Sequence, residues 1–255
     1  MTSPVLVTGG TGTLGRHVVP LLRESGRKVR VLSRHPHPDA DGVEYVVGDL
    51  RRDIGVAPAV AGVDTVLHLA GAPRGDDTAT QALVRAAAHH GVRHLVFISI
   101  IGVDRVPLRF YRTKHRAEQI VAASGVPWTT LRAAQFHDLV LDAVRNLARL
   151  PVVPVPGGLR LQPVDAGDVA ARLVALAAAG PAGRVPDLAG PRVYATGDLI
   201  RSYLRERGAH RPLLSVPIPG KIGRAYRQGD NLAAPEADTG SRTWEDFLAE
   251  RVGAG

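Results

Sequence analysis

The sequence predicts a doubly wound α/β fold, a parallel sheet with helices on both faces, and three observations carry the prediction. Short apolar runs rich in β-branched residues alternate with stretches of helical spacing over the first two thirds of the chain. Most of these runs lack polar alternation, as strands covered on both faces do. The first run empties into Gly9, Gly10, Gly12 and Gly15 just ahead of a helical stretch.

Taken in order, PVLVT (4–8) reads as the first strand, bounded by Gly9. The helix that follows carries Pro20 in its interior, where a residue without an N–H is expected to kink it. KVRVLS (28–33), VEYVV (43–47), DTVLHLA (64–70), HLVFIS (94–99) and PWTTLR (127–132) are the next five strands, fenced by Gly, Pro, Asp or Ser. Helices are predicted over 77–90 and 109–124, stopped by the glycines at 91 and 125. After residue 150 the texture changes: RLPVVPVPGGLRLQPVD is extended and Pro/Gly punctuated, a helix follows near 167–179, and short strands and helices alternate to the end. The expected organisation is a main domain over 1–150 and a small C-terminal α/β lobe over 151–255, whose first segments are too short to close a core alone.

A chain of 255 residues suits one large α/β core with a modest second lobe. Hydrophobic residues at 45% and charged residues at 22% are globular proportions. There is no run of about 18 apolar residues to span a membrane. No basic region precedes an apolar stretch near Met1, so the cytoplasm is the expected location. With no cysteine, disulfides and thiolate chemistry are excluded. The net charge of +8 would suit a nucleic-acid partner, but the cations are spread along the chain and four Phe and two Trp leave little for base stacking. A solvated, arginine-rich surface accounts for the charge. Of 32 cationic residues only Lys28, Lys114 and Lys221 are lysines, so a lysine here asks for a reason.

Strand, then Thr8-Gly9-Gly10-Thr11-Gly12-Thr13-Leu14-Gly15, then helix is the order that seats a pyrophosphate on a helix N-terminus, where N–H groups converge and missing Cβ atoms admit the phosphate oxygens. This is the Rossmann-type arrangement, and it makes Gly9, Thr11, Gly12, Thr13, Leu14 and Gly15 candidate cofactor contacts; a tight turn without a ligand is the competing reading. The second strand ends Leu32-Ser33-Arg34, with a guanidinium where an NAD-selective fold places a carboxylate, so NADP(H) is favoured over NAD(H). Arg34 as a plain surface arginine is the alternative. Asp49 and Leu50 are assigned to the adenine end. Leu69 and Ala70 at the end of the fourth strand, Gly71 just beyond it, and Ser99 ending the fifth complete the candidate cofactor contacts at the carboxyl edge of the sheet.

TGGTGTLG (8–15), SR (33–34), GDL (48–50), FIS (97–99), YRTKHRAEQIVAASGVPWTTLRAAQFHD (111–138) and QPVDAGDVA (162–170) together resemble the NmrA-like, atypical branch of the short-chain dehydrogenase/reductase superfamily, and the tail GSRTWEDFLAER (240–251) is similar to its members. The resemblance implies an NAD(P)-binding fold. It also implies either a reductase acting on quinones or carbonyls, or a protein that binds NADP without turning it over and acts as a redox sensor. The superfamily's chemistry uses a proton-donating tyrosine, a lysine four residues on that lowers the tyrosine pKa and holds the nicotinamide ribose, and a serine that orients the carbonyl. Here the lysine is Lys114, and four residues before it stands Phe110, which has no proton to give. Tyr111 is the substitute, though on a helix it stands about 100° around from residue 110. The serine position falls beyond Ser99, where the chain reads Ile100-Ile101-Gly102. Lys114 could anchor ribose hydroxyls; a lone exposed helix lysine is the plain alternative.

His89, His90 and His94 are expected to cluster at a helix end as favourable cations, with no metal site. His137, just after the sixth strand, is the candidate replacement acid or substrate contact. Phe136 beside it walls the nicotinamide or packs in the core, while Asp138 and Asp165 are assigned to a helix cap and a turn. The expected function is therefore that of an NADPH-dependent oxidoreductase passing hydride to a small quinone, enone or carbonyl, with Lys114, Tyr111 and His137 as the catalytic candidates. A non-catalytic NADP(H)-sensing regulator is the alternative. A small-molecule substrate is expected, a membrane or nucleic-acid partner is not, and a homodimer is left open.

Overall fold

The computed structural model describes residues 3–38, 42–72 and 74–252. In chain order the elements are β1 (Val5–Thr8), α1 (Gly15–Glu24), β2 (Val29–Ser33), β3 (Val43–Val47), α2 (Val56–Val60), β4 (Thr65–His68), α3 (Asp76–His89), β5 (His94–Ile100), α4 (Arg109–Ala122), β6 (Trp128–Ala133) and α5 (His137–Ala148). They continue as β7 (Val153–Gly157), β8 (Arg160–Leu161), α6 (Ala166–Ala179), β9 (Gly183–Arg184), β10 (Leu188–Ala189), β11 (Tyr194–Ala195), α7 (Thr196–Glu206), β12 (Leu213–Pro217), α8 (Gly220–Gln228), β13 (Asp238–Thr239) and α9 (Trp244–Val252). All six strands expected up to residue 132 are present within a few residues of their predicted ends. So are the helices expected over 77–90, 109–124 and 167–179. The helix α1 runs through Pro20 without ending there.

Among the described residues nine strands form a parallel sheet in the order β13-β10-β6-β5-β4-β1-β2-β3, with β9 also paired to β6. The run β3-β2-β1-β4-β5-β6 reverses direction between β1 and β4, the switch point where the crevice of a doubly wound sheet opens. Val5↔Val29 on one side of β1 and Val5↔Thr65 on the other fix its register at the centre. Every residue of β1 and β4 is buried, which is why the sequence shows no polar alternation there.

The chain folds as two compact units. The first comprises Met1–Ser99, Arg112–Arg132 and Val169–Val185. Its core joins Leu6, Leu83, Leu95, Phe97, Ala117 and Val121 from strands and helices distant in sequence. Burial of each large side chain there contributes about 1.5–3 kcal/mol relative to exposure. The second unit comprises Ile100–Tyr111, Ala133–Asp168 and Pro186–Gly255. Helices α5, α7 and α9 supply its core around Trp244, Phe247, Leu199 and Ile200, and the indole N–H of Trp244 donates to Ser202 Oγ at 2.8 Å. Two small sheets belong to this unit, β7 with β12 in parallel and β8 with β11 antiparallel. Among the described residues no helix is long and apolar enough to cross a membrane.

Candidate dinucleotide site

The glycines of the first turn answer to different demands. Gly9 has φ +72°, and a Cβ there would lie 2.7 Å from the Ala70 nitrogen, so the loops after β1 and β4 touch at the switch point. At Gly15 a Cβ would meet Gly9 O at 2.3 Å, and at Gly10 it would meet Val31 at 2.8 Å; both glycines are required for packing. Gly12 is otherwise. It is exposed between exposed Thr11 and Thr13, and a Cβ there would have only Gly9 O near it, at 3.3 Å. The fold does not need that space, and a side chain would fill it. Leu14 precedes α1 without a side-chain cap; the Arg16 and His17 amides donate to Gly12 O and Leu14 O, each at 3.0 Å, while among the described residues the Gly15 amide makes no backbone bond and is available at the same place. These residues fit a pyrophosphate.

At the end of β2, Ser33 is buried and Arg34 exposed. Asp49 holds its own turn, its Oδ1 accepting the Arg51 N–H at 2.8 Å while its backbone bridges Ile54; Leu50 beside it is buried. Leu69 N–H donates to Thr8 O at 3.1 Å, and Gly71 brings backbone close to Lys114, whose Nζ lies 3.9 Å from where a Cβ of Gly71 would stand. Ser99 is buried, and its hydroxyl has no hydrogen-bond partner among the described residues.

Beneath this edge runs a buried polar chain that no motif announced. Thr80 Oγ1 donates to the Asp76 carbonyl at 2.7 Å, His68 Nε2 lies 3.1 Å from Thr80 Oγ1, His68 Nδ1 lies 2.7 Å from Thr8 Oγ1, and Ala70 N–H donates to Thr8 Oγ1 at 3.3 Å. Because the Thr80 hydrogen is committed to Asp76, His68 must donate from Nε2 and accept at Nδ1. Burial first, then the charge of Lys114, lowers the His68 pKa to about 3, so the ring is neutral.

Lys114 corrects the reading of an exposed helix lysine: it is 4% exposed. Its Nζ lies 3.2 Å from Asp76 Oδ2 and 4.4 Å from the centre of the Phe97 ring. Among the described residues Asp76 Oδ2 accepts no hydrogen bond of ordinary geometry, so the pair is held by charge. Burial lowers the lysine pKa, and Asp76 opposes that shift. Asp76 escaped the sequence reading because its partner lies 38 positions away on another helix, although a lysine this rare was a signal that a counter-ion should be sought.

The remaining candidates lie in the second unit. Tyr111 is buried among Val103, Val106, Phe110 and Tyr226, and its hydroxyl accepts the Gln135 amide at 3.1 Å. Burial, with Tyr226 adding to it, pushes its pKa up to about 12 against the Gln135 hydrogen bond. Phe136 occupies the N-cap of α5 and pairs with Val164 through the backbone. His137, expected as a replacement acid or substrate contact, is 0% exposed, and its ring lies 5.0 Å from Phe247 and 5.9 Å from Trp244, centre to centre. Aromatic residues more than a hundred positions later seal it. Asp165 makes its turn as expected, accepting the Gly167 N–H at 2.7 Å, and also receives Arg242 at 3.1 Å. Its pKa is lowered to about 2, first by the His137 ring, whose Nδ1 stands 3.8 Å from Oδ2, then by Gly167 and Arg242, against the opposing effect of burial. Asp138 is not the cap of α5; it lies in the first turn and reaches Arg251 at 3.5 Å. His94 leaves the expected cluster, since it opens β5 and its Nε2 sits 2.9 Å from Thr129 Oγ1; only His89 and His90 end α3.

A doubly wound sheet whose switch-point loop is a glycine turn opening a helix defines the dinucleotide-binding class. Comparison with known proteins agrees. The profile of an NAD(P)H-binding family matches residues 9–179, and the chain belongs to that family, in the NmrA-like branch of the short-chain dehydrogenase/reductases. It is 35% identical over 242 residues to (4-alkanoyl-5-oxo-2,5-dihydrofuran-3-yl)methyl phosphate reductase of Streptomyces griseus, covering 88% of this chain and 85% of the relative. It is 30% identical over 258 residues to an NAD(P)H azoreductase of Xenophilus azovorans, covering 96% and 89%. An NADPH-dependent quinone oxidoreductase from Escherichia coli, solved with NADPH, shares the fold with a TM-score of 0.84 at 18% identity, over 97% of this chain and 99% of that one.

Proposed function

We propose that the protein is an NADPH-dependent reductase that passes hydride to a small quinone, enone or conjugated carbonyl. The observation that carries this reading is Lys114, buried beside the loop that touches the glycine turn, in a helix with phenylalanine at 110. The two reductases named above support it. Bound NADPH would supply the hydride. The turn at Gly12 and the Gly15 amide at the start of α1 would hold its pyrophosphate, Arg34 its 2′-phosphate and Lys114 its nicotinamide ribose. Asp49 and Leu50 would face the adenine, with Leu69, Ala70, Gly71 and Ser99 along the crevice. The segment over 151–255 would choose the acceptor.

Phe110 donates no proton, Tyr111 with its pKa near 12 is a weak acid, and His137 is sealed. An acceptor whose reduced form is a delocalised anion therefore suits these residues better than an isolated ketone, because water can complete its protonation. The ammonium of Lys114 would favour the negative charge that develops.

The buried, hydrogen-bonded Tyr111 favours a second reading, a protein that binds NADP(H) and reports its redox state without turnover. One experiment separates the two: the purified protein is mixed with NADPH and a panel of quinones, enones and ketones while absorbance of the reduced nicotinamide is followed. Sustained acceptor-dependent consumption supports the reductase; saturable binding with no consumption by any acceptor supports the sensor.

A further inference from the structure

Lys114 reaches its place only because something holds it there. We propose that Asp76 is the positioning residue for Lys114: from the first turn of α3 its carboxylate pins the ammonium over Phe97 and beside Gly71, so that the lysine meets the nicotinamide ribose from one fixed position. The inference rests on the reading of Lys114 as a group that holds the cofactor.

Four observations carry it. The side chains of Lys114 and Asp76 are 5% and 2% exposed, and a lysine this enclosed keeps its charge only against an enclosed anion. The other acid near it, Glu118, is already engaged by Arg132 through bonds of 2.8 and 2.7 Å, which leaves Asp76 as the partner. Its neighbour Asp77 has the ordinary arrangement, a distant 3.9 Å pair with the exposed Arg116, so the inward turn of Asp76 is specific to that position. Finally, the Asp76 carbonyl ends the chain through Thr80, His68 and Thr8 to Ala70, the residue that touches Gly9. The carboxylate that holds the lysine is thereby tied, bond by bond, to the loop that would hold the pyrophosphate.

The three lysines make the test direct, since Lys28 and Lys221 are exposed and serve as internal references. The protein is acetylated competitively with trace acetic anhydride, each lysine is quantified by mass spectrometry, and NADPH affinity is measured by fluorescence titration. In the unmodified protein Lys114 is expected to react at least about tenfold more slowly than Lys28 and Lys221. Asp76→Asn is expected to raise Lys114 labelling about tenfold or more, leave the two references unchanged and weaken NADPH about tenfold, with Asp76→Glu restoring part of both. Asp76→Leu combined with Lys114→Met leaves no charge unpaired and covers the case in which Asp76→Asn does not fold. If Asp76 acts through Lys114, the double variant binds NADPH as Lys114→Met alone does. Unchanged labelling and affinity in Asp76→Asn, or additive losses in the double variant, would overturn the proposal. If the unmodified protein binds no NADPH, the cofactor reading fails, while the labelling contrast still decides whether Asp76 holds the lysine.

Discussion

At the residue scale, four glycines that look alike in the sequence have distinct tasks, and substitution separates them. Gly15→Ala forces a Cβ against Gly9 O and is expected to lower the melting temperature with or without nucleotide. Gly12→Ala meets little protein and is expected to leave the melting temperature of the free protein near its starting value while weakening NADPH and NADH alike, by about tenfold or more. Arg34→Ala is expected to weaken NADPH by about 10–100-fold and NADH little, since a charge-assisted contact contributes about 1.5–3 kcal/mol. Equal losses for the two coenzymes in paired titrations would remove the assigned preference. The glycine turn was legible because its chemistry is contiguous: strand, loop and helix follow within a dozen residues. The Asp76–Lys114 pair was not, because the two positions are neighbours only after α3 and α4 have packed.

At the element scale, strands and helices were read almost to the residue where burial on both faces removed polar alternation, as in β1 and β4. What could not be read was which helix covers which side chain. His137 stands one residue past a phenylalanine after β6, a position that suggests a pocket, yet α9 lays Trp244 and Phe247 against it. Helix α4 poses the sharper question, because its second residue is Phe110 and its third is Tyr111. Phe110→Tyr is expected to raise reduction of simple ketones by about tenfold or more, as a correctly placed general acid does. An unchanged rate in a folded variant that still binds NADPH would show that residue 110 does not occupy the proton donor's place.

At the scale of the whole molecule, His68 and Asp165 contribute to its response to acid. His68 has its pKa lowered to about 3, below the unfolded value of about 6.5. Unfolding therefore takes up a proton that the folded ring refuses, and stability falls as pH drops from about 6.5 toward 3, by up to about 1.4 kcal/mol per pH unit. Asp165 adds a lower window: the stability its lowered pKa contributes is fully present above about pH 4 and lost as pH falls through its folded value of about 2. Urea unfolding across this range should show both windows, and His68→Gln should make the first shallower, leaving the part that His94, its pKa also lowered by burial, contributes, and spare the second. The imidazole also offers a spectroscopic handle. Its single N–H, walled in and locked in one tautomer, should give an isolated downfield proton resonance that exchanges slowly with deuterium. Since the far end of its bond chain is Ala70, arrival of a coenzyme at the glycine turn should shift that one line, making the occupancy of the crevice audible from inside the core.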